Sequence, residues 1–123
     1  MVPTPSHLLL GRWGEDLAAS QLAALGWTIL ARQWRCPQGE ADLIARDVDT
    51  GDLVVCEVKT RSSTRFGSPL EAITPQRMRR LQCVAYEWMR RFGHHGPVRI
   101  DAMAIIAPHD GSAVTIEHRR GLQ

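Results

Sequence analysis

Residues 39–46 read Gly39-Glu40-Ala41-Asp42-Leu43-Ile44-Ala45-Arg46, and residues 53–61 read Leu53-Val54-Val55-Cys56-Glu57-Val58-Lys59-Thr60-Arg61. These two stretches decide the fold. Between them lies Asp47-Val48-Asp49-Thr50-Gly51-Asp52, polar and carrying a glycine, so strands at 40–46 and 53–60 form a hairpin. With the tip near Asp49-Thr50, Asp42 lies opposite Glu57 and Glu40 opposite Lys59. Period-2 alternation puts all four on one face. Ala41, Leu43, Val54, Cys56 and Val58 point the other way and read as core. Carboxylates directly opposite each other have Cβ atoms about 4.5–5.5 Å apart, and like charges there are destabilising. Such a pair needs a proton, a cation or solvent between its members. The plain structural alternative is a half-exposed face of ordinary ion pairs, Glu40 with Lys59.

Outward from the hairpin, residues 27–34 read as a strand, and Cys36-Pro37-Gln38-Gly39 as a turn. Before them, Ser6 is placed to cap a helix running to about Leu25, with Gly26 as its stop. One stripe of that helix reads Gly11, Glu15, Ala18, Leu22, Leu25, so this face meets the sheet and carries one acid, Glu15. The bland reading of Glu15 is a first-turn carboxylate that favours the helix dipole. After the hairpin, residues 61–73 read as a loop. Thr74-Pro75 starts a second helix that reaches about Phe92, with the apolar stripe Met78, Leu81, Ala85, Trp88, Phe92. Residues 98–107 form an apolar strand, and 113–118 a short edge strand. A strand, a crossover helix and another strand make a parallel connection. The expectation is a mixed central sheet flanked by helices, an αβββαβ core in the α/β class.

The chain has 123 residues, enough for one domain. Its composition, 44% hydrophobic and 23% charged, is globular. No apolar run is long enough to cross a bilayer. Met1 to Gly11 lack a basic start and a small-residue cleavage site, so no signal peptide is expected. Cys36, Cys56 and Cys83 form no CxxC pair and no even disulfide framework, which points to a reducing cytoplasmic setting. The fifteen basic residues are fourteen Arg and one Lys, Lys59. With six Glu in the chain, one falls two residues before the only Lys by chance about 5% of the time, so Glu-x-Lys alone is a weak signal. Convergence with Asp42 and Glu15 strengthens it. Hard oxygen ligands suit Mg²⁺ or Mn²⁺. A compact lysine beside such a metal holds a water or exchanges a proton, which arginine's permanently charged fork does poorly.

Several stretches carry a resemblance: Gly11-Arg12-Trp13-Gly14-Glu15, Gln33-Trp34-Arg35-Cys36, Gly39-Glu40-Ala41-Asp42-Leu43-Ile44 and Val55-Cys56-Glu57-Val58-Lys59-Thr60-Arg61. Phe66-Gly67-Ser68 and Arg99-Ile100-Asp101 fit it too. Together they resemble the YraN family of bacterial predicted endonucleases, over roughly residues 11–107. That family looks like part of the PD-(D/E)xK, restriction-endonuclease-like superfamily, near the archaeal Holliday-junction resolvases. The resemblance implies Asp42 and Glu57 as metal ligands, Lys59 as the catalytic lysine and Glu15 as the helix-borne acid, a further metal ligand directly or through water. It implies DNA as partner and allows a homodimer. Ala41 stands where the superfamily's naming proline would be. Gln82 and Tyr86 echo a Gln-x-x-x-Tyr motif of related nucleases, and an i, i+4 pair of this kind is ordinarily helix surface. The nuclease-like domain is placed at residues 11–118, between a flexible lead-in at 1–10 and a tail at 119–123.

For nucleic acid, the candidate contacts are Arg77, Arg79 and Arg80 on the flanks of the second helix, Arg61 and Arg65 in the loop just after the 53–60 strand, and Arg35 at the mouth of the first turn. A solvated helix face is the rival reading. His94-His95 point apart and make a poor metal site. Asp47, Asp49 and Asp52 lack the bidentate Glu of a calcium loop, since position 58 is Val. Asp101 sits among apolar residues and is expected to pair with Arg61 or Arg99. The expected activity is metal-dependent hydrolysis of DNA phosphodiesters, structured or branched DNA in particular. The alternatives are a silent DNA-binding module and a nuclease directed at RNA.

Overall fold

A computed structural model describes residues 7–65 and 67–122. Ser6, residues 1–6 of the lead-in and Phe66 lie outside the described residues. The elements are α1 (His7–Ala24), β1 (Thr28–Cys36), β2 (Gly39–Arg46), β3 (Leu53–Arg61), a 3-10 turn (Pro69–Ala72), α2 (Pro75–Phe92), β4 (Val98–Ile106) and β5 (Thr115–Arg119). Residues 7–10 are thus helical. The five strands form one mixed sheet in the order β1-β2-β3-β4-β5. All neighbours pair antiparallel except β3 and β4, which are parallel and joined through α2. This is the αβββαβ core read from the sequence, with β5 added at the edge.

The hairpin register is the expected one: Leu43 pairs with Cys56, Ala45 with Val54 and Arg46 with Leu53. Its turn is built on Asp47, whose Oδ1 accepts the amides of Asp49 and Thr50. α2 begins where the sequence says, with the Thr74 hydroxyl accepting the Arg77 amide at 3.1 Å and Pro75 in the first turn. It ends on Gly93, whose φ of 67° is left-handed and cheap only for glycine.

Alternation along β3 splits the core into two layers. Val54, Cys56 and Val58 pack with Ala18 and Leu22 of α1, and Leu53 and Val55 with Leu81, Val84, Ala85 and Trp88 of α2. The helices therefore cover opposite faces of the sheet. Each fully buried Leu or Val contributes roughly 1.5–3 kcal/mol. Gly14 sets how closely α1 approaches. A Cβ there would lie 1.9 Å from Thr60 Oγ1 and 2.9 Å from Thr60 Cβ.

Three local expectations fail. Leu25 is exposed, because α1 ends at Ala24 and helical spacing no longer applies beyond it. Ala41 packs with the α2 layer and not with Leu43. The adjoining β1 is irregular, with a register shift between Ile29 and Ala31 and a left-handed Gln33 (φ 48°), so side chains there do not alternate simply. Phe92 is exposed at the end of its stripe, though its ring lies 4.1 Å from that of Trp88. Val84 is the stripe residue the sequence reading left out.

Candidate active site

Backbone pairing between β2 and β3 runs from Arg46–Leu53 to Leu43–Cys56 and stops there. One residue further, the Val58 amide donates to Asp42 Oδ2 at 2.8 Å. A side-chain carboxylate thus takes a backbone donor at the point where the two strands part. Asp42 and Glu57 meet there, as the register requires, and their carboxyls are hydrogen-bonded to each other. Burial pushes the Asp42 carboxyl up to about 8, and the hydrogen bond and negative charge of Glu57 push the same way against the Val58 amide. Glu57 is almost fully buried. Burial alone would raise it, but the Arg77 guanidinium and the Asp42 proton outweigh that and hold it below the usual carboxylate range. Their mutual repulsion and unequal surroundings drive the two apart, Asp42 toward its protonated form and Glu57 toward its ionised form.

Arg77 is placed differently from the exposed flank the sequence suggested. Its Nε donates to Glu57 Oε2 at 2.5 Å, and Nη2 reaches Glu57 Oε1 at 3.3 Å and the Glu40 carbonyl at 3.1 Å. The signal was present: position 77 is four residues before Leu81 and continues the buried stripe by one turn.

Lys59 lies two residues beyond Glu57 on the same face of β3, half-buried. The rival Glu40–Lys59 pair does not form, since Glu40 pairs with Arg35 at 3.3 Å. Among the described residues Lys59 makes no hydrogen bond or ion pair, and its charge helps to hold Glu57 ionised.

Glu15 comes from α1, on the other face of the sheet. Its Oε2 accepts Gln33 Nε2 at 2.6 Å, and its charge is felt at Asp42. Gln33 sits opposite Asp42 across the β1–β2 pairing, and its left-handed backbone is a strain that a non-glycine residue carries at some cost. Arg12, Glu15, Asp16, Arg32 and Gln33 line a groove of about 210 Å³. Arg12 and Gln33 line it beside Glu15, and the sequence reading gave neither of them a role. Only a backbone conformation, invisible in alternation, marks Gln33.

Among the described residues, no group of three or more His, Cys, Asp or Glu side chains converges to hold a metal ion. Asp42 and Glu57 do converge. One buried and one half-buried hard-oxygen carboxylate fit Mg²⁺ or Mn²⁺, since Mg²⁺ typically takes one or two carboxylates and completes its shell from water and phosphate. Glu15 stands one layer away.

The basic residues divide. Arg79 and Arg80 are exposed and, among the described residues, have no acidic partner. With Gln38, Gln76 and Cys83 they line a groove of about 360 Å³. Arg35 is exposed and paired with Glu40. Arg61 donates to the Thr60 carbonyl, and Arg65 lies exposed in the loop beyond β3. Gln82 and Tyr86 are exposed, the surface pair expected of a helix. Asp101 pairs with Arg99, one of its two expected partners. Among the described residues, no helix is long and apolar enough to cross a membrane.

Comparison with known proteins gives one consistent match. The model of "Uncharacterised protein family UPF0102" matches residues 14–105. A UPF0102 protein of Acidothermus cellulolyticus is 49% identical, over 91% of this chain and 91% of its own. One from Streptomyces griseus is 48% identical over 92% and 94%. One from Kineococcus radiotolerans is 44% identical over 99% of both chains.

Proposed function

The chain belongs to the uncharacterised protein family UPF0102, the family the YraN resemblance indicated, and from that premise we propose that it is a divalent-metal-dependent DNA endonuclease. Its substrates are structured or branched DNA, and its setting is the cytoplasm, which suits three free cysteines. The observation that carries the reading is the strand parting at Asp42. It brings two carboxylates together beside a lysine that, among the described residues, forms no ion pair.

Mg²⁺ or Mn²⁺ at Asp42 and Glu57 would supply Lewis acidity to a phosphate oxygen and the attacking water. The chain's residues do the rest. Asp42 and Glu57 would hold the ion against the end of β3, and the carboxylates themselves make no contact with the phosphate. Lys59 Nζ holds the attacking water in line and steadies charge building on the phosphate. Glu15, held by Gln33, adds negative potential that orients water from the other face. Arg79, Arg80, Arg35, Arg61 and Arg65 bind the backbone without reading sequence. A homodimer would present two such sites to a branched substrate.

The test is a cleavage panel with Mg²⁺ or Mn²⁺ on branched, flapped and single-stranded DNA, with RNA alongside. At least one DNA is nicked, and Lys59→Ala abolishes nicking while binding remains. One observation favours a second reading, a DNA-binding module without turnover: Arg77 already neutralises Glu57, as a permanent structural partner would. Binding without nicking under every metal and structure overturns the enzyme reading in favour of that module. Cleavage confined to RNA changes the substrate.

A further inference from the structure

Glu57 already has a cation. Arg77 engages both of its carboxylate oxygens and anchors to the Glu40 carbonyl. A second cation cannot share that carboxylate without repulsion from the guanidinium. Yet Arg77 is poorly placed as a permanent fixture. Its side chain is 31% exposed where that of Glu57 is 3%, so it reaches the rim on a long flexible stem. The acceptor that suits a guanidinium as well as a carboxylate does is a phosphate, which offers the same two-point geometry. Arg79 and Arg80, two and three residues along the helix, suit that kind of ligand, having no acidic partner among the described residues. Their groove adjoins the latch, because Gln38 in its wall is two residues from Glu40.

We propose that Arg77 is a substrate-released latch. It closes Glu57 while nucleic acid is absent, and a backbone phosphate draws it away to open the carboxylate to a divalent ion. This rests on the metal-dependent reading above. The latch makes metal and nucleic acid bind with positive coupling, and linkage requires that each tighten the other by the same factor. Arg77 is a positioning residue here, acting through Glu57. A purely structural Arg77 would give no such coupling, since its loss would shift metal affinity equally with and without nucleic acid.

The experiment measures Mn²⁺ affinity of the full chain by the paramagnetic resonance of free Mn²⁺. Without DNA, Arg77→Gln binds Mn²⁺ about tenfold more tightly than wild type, the worth of one charge-assisted hydrogen bond. In a Lys59→Ala background, which blocks turnover, branched DNA tightens Mn²⁺ binding after subtraction of metal held by DNA alone. Adding Arg77→Gln removes that gain. Equal or weaker Mn²⁺ binding by Arg77→Gln overturns the latch, as does the lack of a DNA-dependent gain when Arg77 is present. If Arg77→Gln does not fold, the DNA comparison with Arg77 in place decides alone. Glu57→Gln separates the two readings. If it binds Mn²⁺ as wild type does, the metal site is elsewhere and the reading beneath the latch fails.

Discussion

The chain buries carboxylates in two places, and they are treated in opposite ways. At the hairpin tip, Asp47 and Asp101 are fully buried around Arg99, which bonds Asp47 at 2.8 Å, Asp52 at 3.1 Å and Asp101 at 2.9 Å. His118 Nε2 and the Gly121 amide complete Asp101, at 2.8 and 3.0 Å. Burial would raise both acids. Asp47 is instead held low by Arg99 and turn amides, and Asp101 by His118 with Arg99. Toward the other end of β3, Asp42 and Glu57 have one half-buried arginine between them, and Asp42 is left far above its ordinary range. Saturated pairing marks the first cluster as structure. Incomplete pairing in the second is a cost to stability, and under the metal-dependent reading proposed above a bound cation would relieve it.

The largest expected effect breaks the saturated cluster. Arg99→Ala leaves Asp47 and Asp101 buried without their cation and removes a guanidinium 5.2 Å from the Trp27 ring. The cost is about 3–5 kcal/mol, the range for stripping one partner from a buried pair. A thermal melt at neutral pH checks it. A loss below about 1 kcal/mol, the range of exposed pairs, would make this cluster an ordinary surface network and remove the contrast.

Metal gives the next effect. At ten times its Kd, Mn²⁺ stabilises wild type by about 1.4 kcal/mol through mass action. Asp42→Asn and Glu57→Gln lose most of that gain, and Arg99→Ala, though less stable, keeps it. Equal stabilisation of all four proteins would mean that neither carboxylate holds the ion.

Asp42→Asn in chelator should raise stability, the reverse of what removing a buried acid usually does. The sign follows from the raised pKa. The Asp42 contribution is fully present below its unfolded value near 3.8 and is lost as pH rises through about 8. Asparagine keeps a neutral group of the same shape, so the variant's advantage is absent near pH 4 and largest above pH 8. At pH 8 it amounts to roughly 1 kcal/mol, or about 3–5 °C in Tm for a domain of this size. Asp47 and Asp101 are lowered, so their contribution is present above the unfolded range and falls away as pH drops below about 4. The clusters therefore tilt the pH profile in opposite directions. A destabilised Asp42→Asn at pH 8 would make Asp42 a structural acceptor for the Val58 amide and nothing more.

The hairpin register was legible because a polar six-residue turn joins two alternating strands, and period 2 leaves no freedom once one pair is set. α2 was legible from its cap, its first-turn proline and its closing glycine. Asp42 facing Glu57 follows from that register. The parting of the strands beyond Leu43 does not, because alternation carries no information on where a ladder stops. Glu15 was assigned to the sheet-facing stripe correctly, but period 2 also places Glu57 on the face away from α1. The three acids thus approach from two layers and do not converge as one cluster. Arg77 was missed because five arginines on one helix read as a flank, whereas one of them continued the buried stripe.

The smallest effect on stability is at Lys59, and the comparison is sharpest there. Arg99 touches three carboxylates, and among the described residues Lys59 pairs with none. Lys59→Arg keeps the charge that favours ionised Glu57 and disturbs no bond, so its stability stays within about 0.5 kcal/mol of wild type. It replaces a compact ammonium by a broad fork that exchanges no proton, so cleavage should fall by about 10²–10⁴-fold, the usual contribution of a positioned proton-transfer group. Nicking rate and thermal melt on the same preparation check both halves. Lost cleavage with unchanged stability is the signature of a cation kept for chemistry. Full cleavage by the arginine variant would leave Lys59 as charge alone, and the single lysine among fourteen arginines as an accident of composition.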